Sequence, residues 1–170
     1  MNKDYAALLD IEAIKKLRIL YSHLLDTKDL DKLTELFTED AVCNFGGGRG
    51  VWTGRDELRR NWAAVHTEFD TNRAGSYPFL HSVTNHWIEL TGPDTAEGRC
   101  YLLDWVTAQI DRNPLLLLGV YADLYRKEAG VWRISYCRID FVWPDRDVVG
   151  GAPGELRAVL DHASNTAGKG

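Results

Sequence analysis

The chain has 170 residues, 20 of them basic and 25 acidic, for a formal charge of -5, and 45% of it is hydrophobic. Residues 1–170 therefore read as a single domain able to bury a real core, with the core over 11–143 and a tail over 144–170. Neither charge sign gathers into a block, which argues against nucleic acid or an anionic membrane surface as partner, and no run approaches the roughly 20 apolar residues that span a bilayer. Cys43, Cys100 and Cys137 are odd in number and far apart, with no CxxC and no Cys/His cluster at metal-site spacing. They read as reduced, buried thiols of a cytoplasmic protein, and the expected ligand is a small molecule or another protein.

Ile11 to Asp26 is the most periodic stretch: Ile14, Leu17, Tyr21, Leu24 and Leu25 form an apolar stripe at helical spacing, and Glu12, Lys15, Lys16 and Arg18 are assigned the opposite face. Asp10 is expected to cap this helix. Asp26 lies five residues beyond Tyr21, about 140° further round the helix, where an acid borders the core. Asp29 caps a second predicted helix carrying Leu30, Leu33, Leu36 and Phe37. A short strand, 41–45, then meets Gly46 to Gly50, a hairpin connection that lacks the spacing of a phosphate-binding loop. Val51 and Trp52 resume the strand, and Leu58, Trp62, Val65 and Phe69 share one face of a third helix from about Arg55 to Phe69. Residues 70–78 have the composition of an irregular loop.

From Phe79 the period becomes extended. Phe79 to Leu90, Ala96 to Gln109, Leu115 to Tyr125 and Val131 to Trp143 read as four strands of an antiparallel meander, separated by turn-forming clusters. Three helices followed by a long antiparallel sheet define an α+β fold. The strands are apolar on both faces, which predicts a homo-oligomer, a dimer or trimer, packed through the sheet. A short helix near 154–162 ends in a frayed tail, and the tail is expected to close over a pocket as a lid.

Four polar positions interrupt the strands: His81, His86, Asp104 and Arg138. Alternation puts His81 and His86 on opposite faces, so at most one of them points under the helices. A buried Asp104 needs a partner, and two readings stand side by side: a histidine made into a base by a carboxylate, or a cross-strand salt bridge with Arg138. His23 and His66 read as surface-helix residues, and His162 reaches a pocket only through the tail.

The run AIKKLRILYSHLLDTKDLDKLTELFTEDAV, the glycine-containing hairpin, TGRDEL, HSVTNHWIEL and YRKEAGVWRISYCRIDFVW together resemble the SnoaL-like branch of the nuclear transport factor 2-like superfamily. The most specific part is the spacing of Tyr21, Asp26, Asp29, Phe37, Asp40 and Ala41, and the likeness covers roughly 11–143. The resemblance implies a cone-shaped barrel, a strongly bent, mainly antiparallel sheet wrapped around three N-terminal helices and open at one end to an apolar pocket. Members include dehydratases, a dehydrochlorinase, isomerases, an epoxide hydrolase and polyketide cyclases, and the resemblance implies no cofactor. Carried over to this chain, the dehydratase-type residues fall on Tyr21 as donor, Asp26 as orienter, His81 as base and Asp104 as a further acid. Arg138 matches more loosely a substrate-binding arginine, and Trp52, Trp62, Tyr121 and Phe141 complete the expected pocket. The resemblance implies a lyase acting on an apolar aromatic or polycyclic molecule. A ketosteroid-isomerase-like or cyclase proton-transfer enzyme and a non-catalytic binding or scaffold module stand as alternatives.

Overall fold

The computed structural model describes residues 3–46, 48–69, 78–107 and 113–167, without the side chains of residue 3 and of 162–167. Helix α1 (Lys3–Asp26) is followed by α2 (Leu30–Glu35), β1 (Phe37–Asn44), β2 (Val51–Thr53), α3 (Arg55–Phe69), β3 (Phe79–Leu90), β4 (Thr95–Val106), β5 (Leu115–Glu128), β6 (Val131–Trp143) and α4 (Leu156–Ala167). Among the described residues the six strands form one sheet in the order β2-β1-β6-β5-β4-β3. The β3 to β6 meander is antiparallel, as its short turns require, whereas β1 pairs with β6 in parallel. The helices and bent sheet have the α+β arrangement expected from the sequence, but the sheet stays open, since β2 and β3 do not pair with each other.

Helices α1 and α3 cover the inner face, where Ile14, Leu17, Tyr21 and Leu25 of α1 meet Leu58 and Trp62 of α3 and the inward residues of the sheet. α2 is short but well started: Asp29 accepts a hydrogen bond from the Lys32 backbone N–H and satisfies one of its orphan donors. Phe37 opens β1 instead of ending α2. Asp10 caps nothing, because α1 begins well before it; its carboxylate instead accepts from Lys127 Nζ at 2.7 Å and from Trp132 Nε1 at 2.8 Å. Arg18 also departs from its expected place. It is fully buried, lying four residues from Ile14 and three from Tyr21 on the core stripe, and its Nε donates to Asp123 at 2.7 Å.

The outer face is partly covered from within the chain. Residues beyond Trp143 run back across it, and Val159 of α4 is fully buried with Ala122 and Tyr136. Asp140 fastens this strap, accepting from Val149 N at 3.0 Å and Gly154 N at 2.8 Å. The described part of the tail is therefore a cover for the back of the sheet and not the expected lid, because Ala122 and Tyr136 offer it an apolar seat there. The expected irregular loop over 70–77, the β4 extension to Gln109 with part of the turn after it, and the side chain of His162 lie outside the described residues.

Candidate active site

His81 stands on β3 directly opposite Asp104 of β4 in the antiparallel register, so both side chains point to the same inner face. The end of α1 brings Asp26 to the same place. The Asp26 carboxylate takes two hydrogen bonds from one residue, from His81 Nδ1 at 2.6 Å and from the His81 backbone N–H at 3.0 Å. Two contacts to one carboxylate fix both the ring and the strand that carries it. A carboxylate only accepts, so Nδ1 bears the proton and the lone pair of the neutral ring resides on Nε2. Nε2 lies 3.7 Å from Asp104 Oδ2.

Asp104 is 7% exposed, and its Oδ1 is buried with no hydrogen-bond partner among the described residues. Desolvation, helped by the Asp26 charge and opposed by His81, pushes its pKa up to about 6. The site thus holds one firmly oriented imidazole and one carboxyl that exchanges a proton close to neutral pH.

These groups open onto a cavity of about 190 Å³ whose walls are mostly apolar. Tyr21, Trp52, Trp62, His81, Asp104, Tyr121 and Phe141 line it, so the structure brings together the residues singled out in the sequence, with Asp26 behind His81. Tyr21 packs edge-on against Trp62 and Tyr121 with ring centroids 6.0 and 6.1 Å away, and Trp52 continues the wall 6.1 Å from Trp62. Tyr121 hydrogen-bonds to the Tyr21 hydroxyl, and burial drives both phenols upward in pKa although the Arg18 charge beneath them pulls the other way. Both stay neutral, and Tyr21 is a hydrogen-bond donor rather than a phenolate.

Arg138 does not join them. It lies between Cys137 and Ile139, which face inward, so alternation sends it to the outer face. There it donates to Asp140 Oδ2 at 2.8 Å and to the Glu155 carbonyl at 3.3 Å, under the tail strap. Of the two readings for Asp104, the cross-strand bridge with Arg138 does not form, since the two occupy opposite faces.

The opposite-face reading of His81 and His86 fails for a different reason. Between Thr84 and Trp87 the β3 to β4 register slips by one residue, with Asn85 at φ 53°. This bulge resets the alternation, and His86 turns inward as His81 does. It reaches Tyr125, whose hydroxyl lies 3.1 Å from His86 Nε2 and donates to Asp123 at 2.9 Å. Gly98 accommodates the bulge: a Cβ there would sit 2.5 Å from the Trp87 carbonyl. His66 is buried too, with Nε2 3.0 Å from the Leu25 carbonyl.

The sequence reading passed over Arg49, which lines the cavity from the β1 to β2 connection. A basic residue inside a glycine run was its signal. Among the described residues no group of three or more His, Cys, Asp or Glu is disposed to hold a metal ion, and no helix is long and apolar enough to cross a membrane.

The chain belongs to the SnoaL-like domain family, whose model matches residues 6–138. Among curated proteins it is similar to the uncharacterized protein Rv2910c of Mycobacterium tuberculosis, 27% identical over 131 residues that cover 76% of this chain and 83% of the relative. Among solved structures it is similar to Rv3472(D26N), a protein of unknown function from the same organism. That match is 27% identical with TM-score 0.72, covering 99% of this chain and 95% of the other. The hexachlorocyclohexane dehydrochlorinase LinA-type3 of Novosphingobium barchaimii shares the fold at 20% identity, with TM-score 0.70 over 89% of this chain and all of the other (100%).

Proposed function

We propose that the protein is a cofactor-independent lyase that removes a proton and a leaving group from neighbouring carbons of an apolar aromatic or polycyclic small molecule. The observation that carries this reading is the Asp26 carboxylate held against His81 Nδ1 at 2.6 Å, with the ring facing an apolar cavity. Nε2 takes a proton from substrate carbon, and Asp26 stabilises the imidazolium that forms. The C–H electron pair becomes the new double bond as the leaving group departs with its own bonding pair. Asp104 in its protonated form, or the Tyr21 hydroxyl, meets the charge that develops on the departing atom. The LinA fold likeness agrees with an elimination, and the resemblance of Tyr21, Asp26, His81 and Asp104 to the dehydratase-type set supports the same roles. A proton shuttle within one ring would use the same groups, and the product mass separates the two, because elimination loses the leaving group and isomerisation does not. We further propose that the protein is cytoplasmic and a homo-oligomer through the part of the outer face that the tail leaves bare, where Trp87 and Tyr101 remain exposed.

The test is nitrogen NMR of the His81 ring in the wild type and in Asp26→Asn. A working dyad gives a single tautomer protonated on Nδ1 in the wild type and a mixture in the variant, together with shifts on adding polycyclic ligands. A wild-type ring that already samples both tautomers and ignores ligands would sink the proposal.

A further inference from the structure

Arg49 is the lysine or arginine on the cavity wall among the described residues, and its position is built rather than incidental. It belongs to the tight connection between β1 and β2, where Gly46, Gly48 and Gly50 all have positive φ and the Arg49 and Gly50 N–H groups both donate to the Gly46 carbonyl. The Trp52 indole, itself part of the wall, donates to the Arg49 carbonyl at 2.9 Å and so ties the turn to the cavity. The guanidinium rests 5.6 Å from the ring centre of Phe69 and donates to Glu68 at 2.8 Å. Glu68 is about half exposed, so this pair is a weak surface bridge that a better-placed anion can replace.

The cavity is bordered by charges of both signs. The turn carrying Arg49 and the strand carrying His81 both border the cavity. Asp26 and Asp104 gather negative charge at the His81 side, and the walls between are aromatic and aliphatic. An anionic group on a substrate is repelled by the Asp26 carboxylate and attracted by the Arg49 guanidinium.

We infer that the molecule taken by this cavity is an amphipathic anion, an apolar ring body bearing a carboxylate or similar oxyanion, and that Arg49 binds the oxyanion while the ring body lies against the apolar wall. This deepens the proposed function and rests on the same cavity being the substrate site. The planar guanidinium suits a flat oxyanion, which it grips with two parallel N–H donors. Exchanging Glu68 for such a ligand preserves the ion pairing while burying the ring body.

Two dyes of one skeleton test it: 1-anilinonaphthalene-8-sulfonate, which is anionic, and N-phenyl-1-naphthylamine, which lacks the sulfonate and is neutral. Their fluorescence is followed with wild-type protein, Arg49→Gln and Glu68→Gln. The expected result is that Arg49→Gln weakens the anionic dye about tenfold and leaves the neutral dye within twofold, in the range of a lost charge-assisted hydrogen bond. Glu68→Gln, which removes the competing acid and leaves Arg49 in place, tightens the anionic dye severalfold. Equal effects of Arg49→Gln on both dyes, or none on the anionic one, overturn the role of Arg49 while leaving the cavity as a binding site for neutral molecules. Failure of both dyes to bind overturns both this inference and the substrate site beneath it.

Discussion

Two constellations in this molecule combine aspartate with histidine, and they differ in what lies beside them. At the open end, Asp26 orients His81 toward a cavity and Asp104 shares the space. Deeper in, Asp123 is fully buried, receives two arms of the equally buried Arg18, and is linked through Tyr125 to His86. The Arg18 guanidinium is roofed by the rings of Tyr121 and Tyr21 at 3.9 and 4.9 Å. The inner cluster supports the floor on which the tyrosines of the cavity rest. A histidine and an acid within one hydrogen-bond chain are thus a scaffold in one place and candidate chemistry in another, and access to a cavity separates the two cases.

The largest effect expected from breaking this contrast comes from Asp123→Ala. It strands a buried guanidinium, and a loss of about 3–5 kcal/mol is expected in urea unfolding. Asp26→Asn, at the open site, is expected to change stability by less than about 1 kcal/mol, within the range of ordinary substitutions outside the core.

His86 sharpens the inner half of the comparison. Burial, with help from the Arg18 and Lys15 charges and against the pull of Asp123, lowers its pKa to about 4 from 6.5. Between those values the unfolded chain binds a proton that the native ring refuses. The contribution is therefore complete above pH 6.5 and lost as pH falls to 4, on the order of 3 kcal/mol across that window. His86→Gln should flatten the acid limb of a plot of unfolding free energy against pH.

His81→Gln is the test at the open end. Turnover of any substrate found in a ligand screen should fall by about 100-fold or more, the usual scale for a lost general base, while the melting curve moves little.

Asp104 gives a change in stability of opposite sign. Its pKa is raised to about 6, so its favourable contribution is present below its unfolded value near 3.8 and is lost as pH rises through 6. Asp104→Asn should be more stable than the wild type above pH 6, by on the order of 3 kcal/mol, and no more stable below pH 4. If Asp104 supplies the acid, wild-type turnover also declines on the alkaline side of pH 6.

Periodicity and turn chemistry determined much of this protein before any tertiary contact was known. The three N-terminal helices, the four long strands and their meander follow from spacing and from the clusters that interrupt it. The residues of the open site were legible because their polarity interrupts apolar runs and because their order resembles a family. Tertiary structure alone decided the rest. Arg18 lies on the core stripe by spacing, yet a buried cation is tolerable only with a buried acid, and Asp123 is 105 residues away. The inward turn of His86 depends on a single inserted residue, since one slip exchanges the two faces of a strand and no local pattern announces it. Arg138 and the tail were decided together, because which side of the sheet the last residues cover depends on an apolar seat assembled from β5 and β6. Local interactions repeat with the chain and can be counted along it. Burial, pairing and the side from which an element is covered depend on what the folded chain brings near, and those are properties of the assembled sheet.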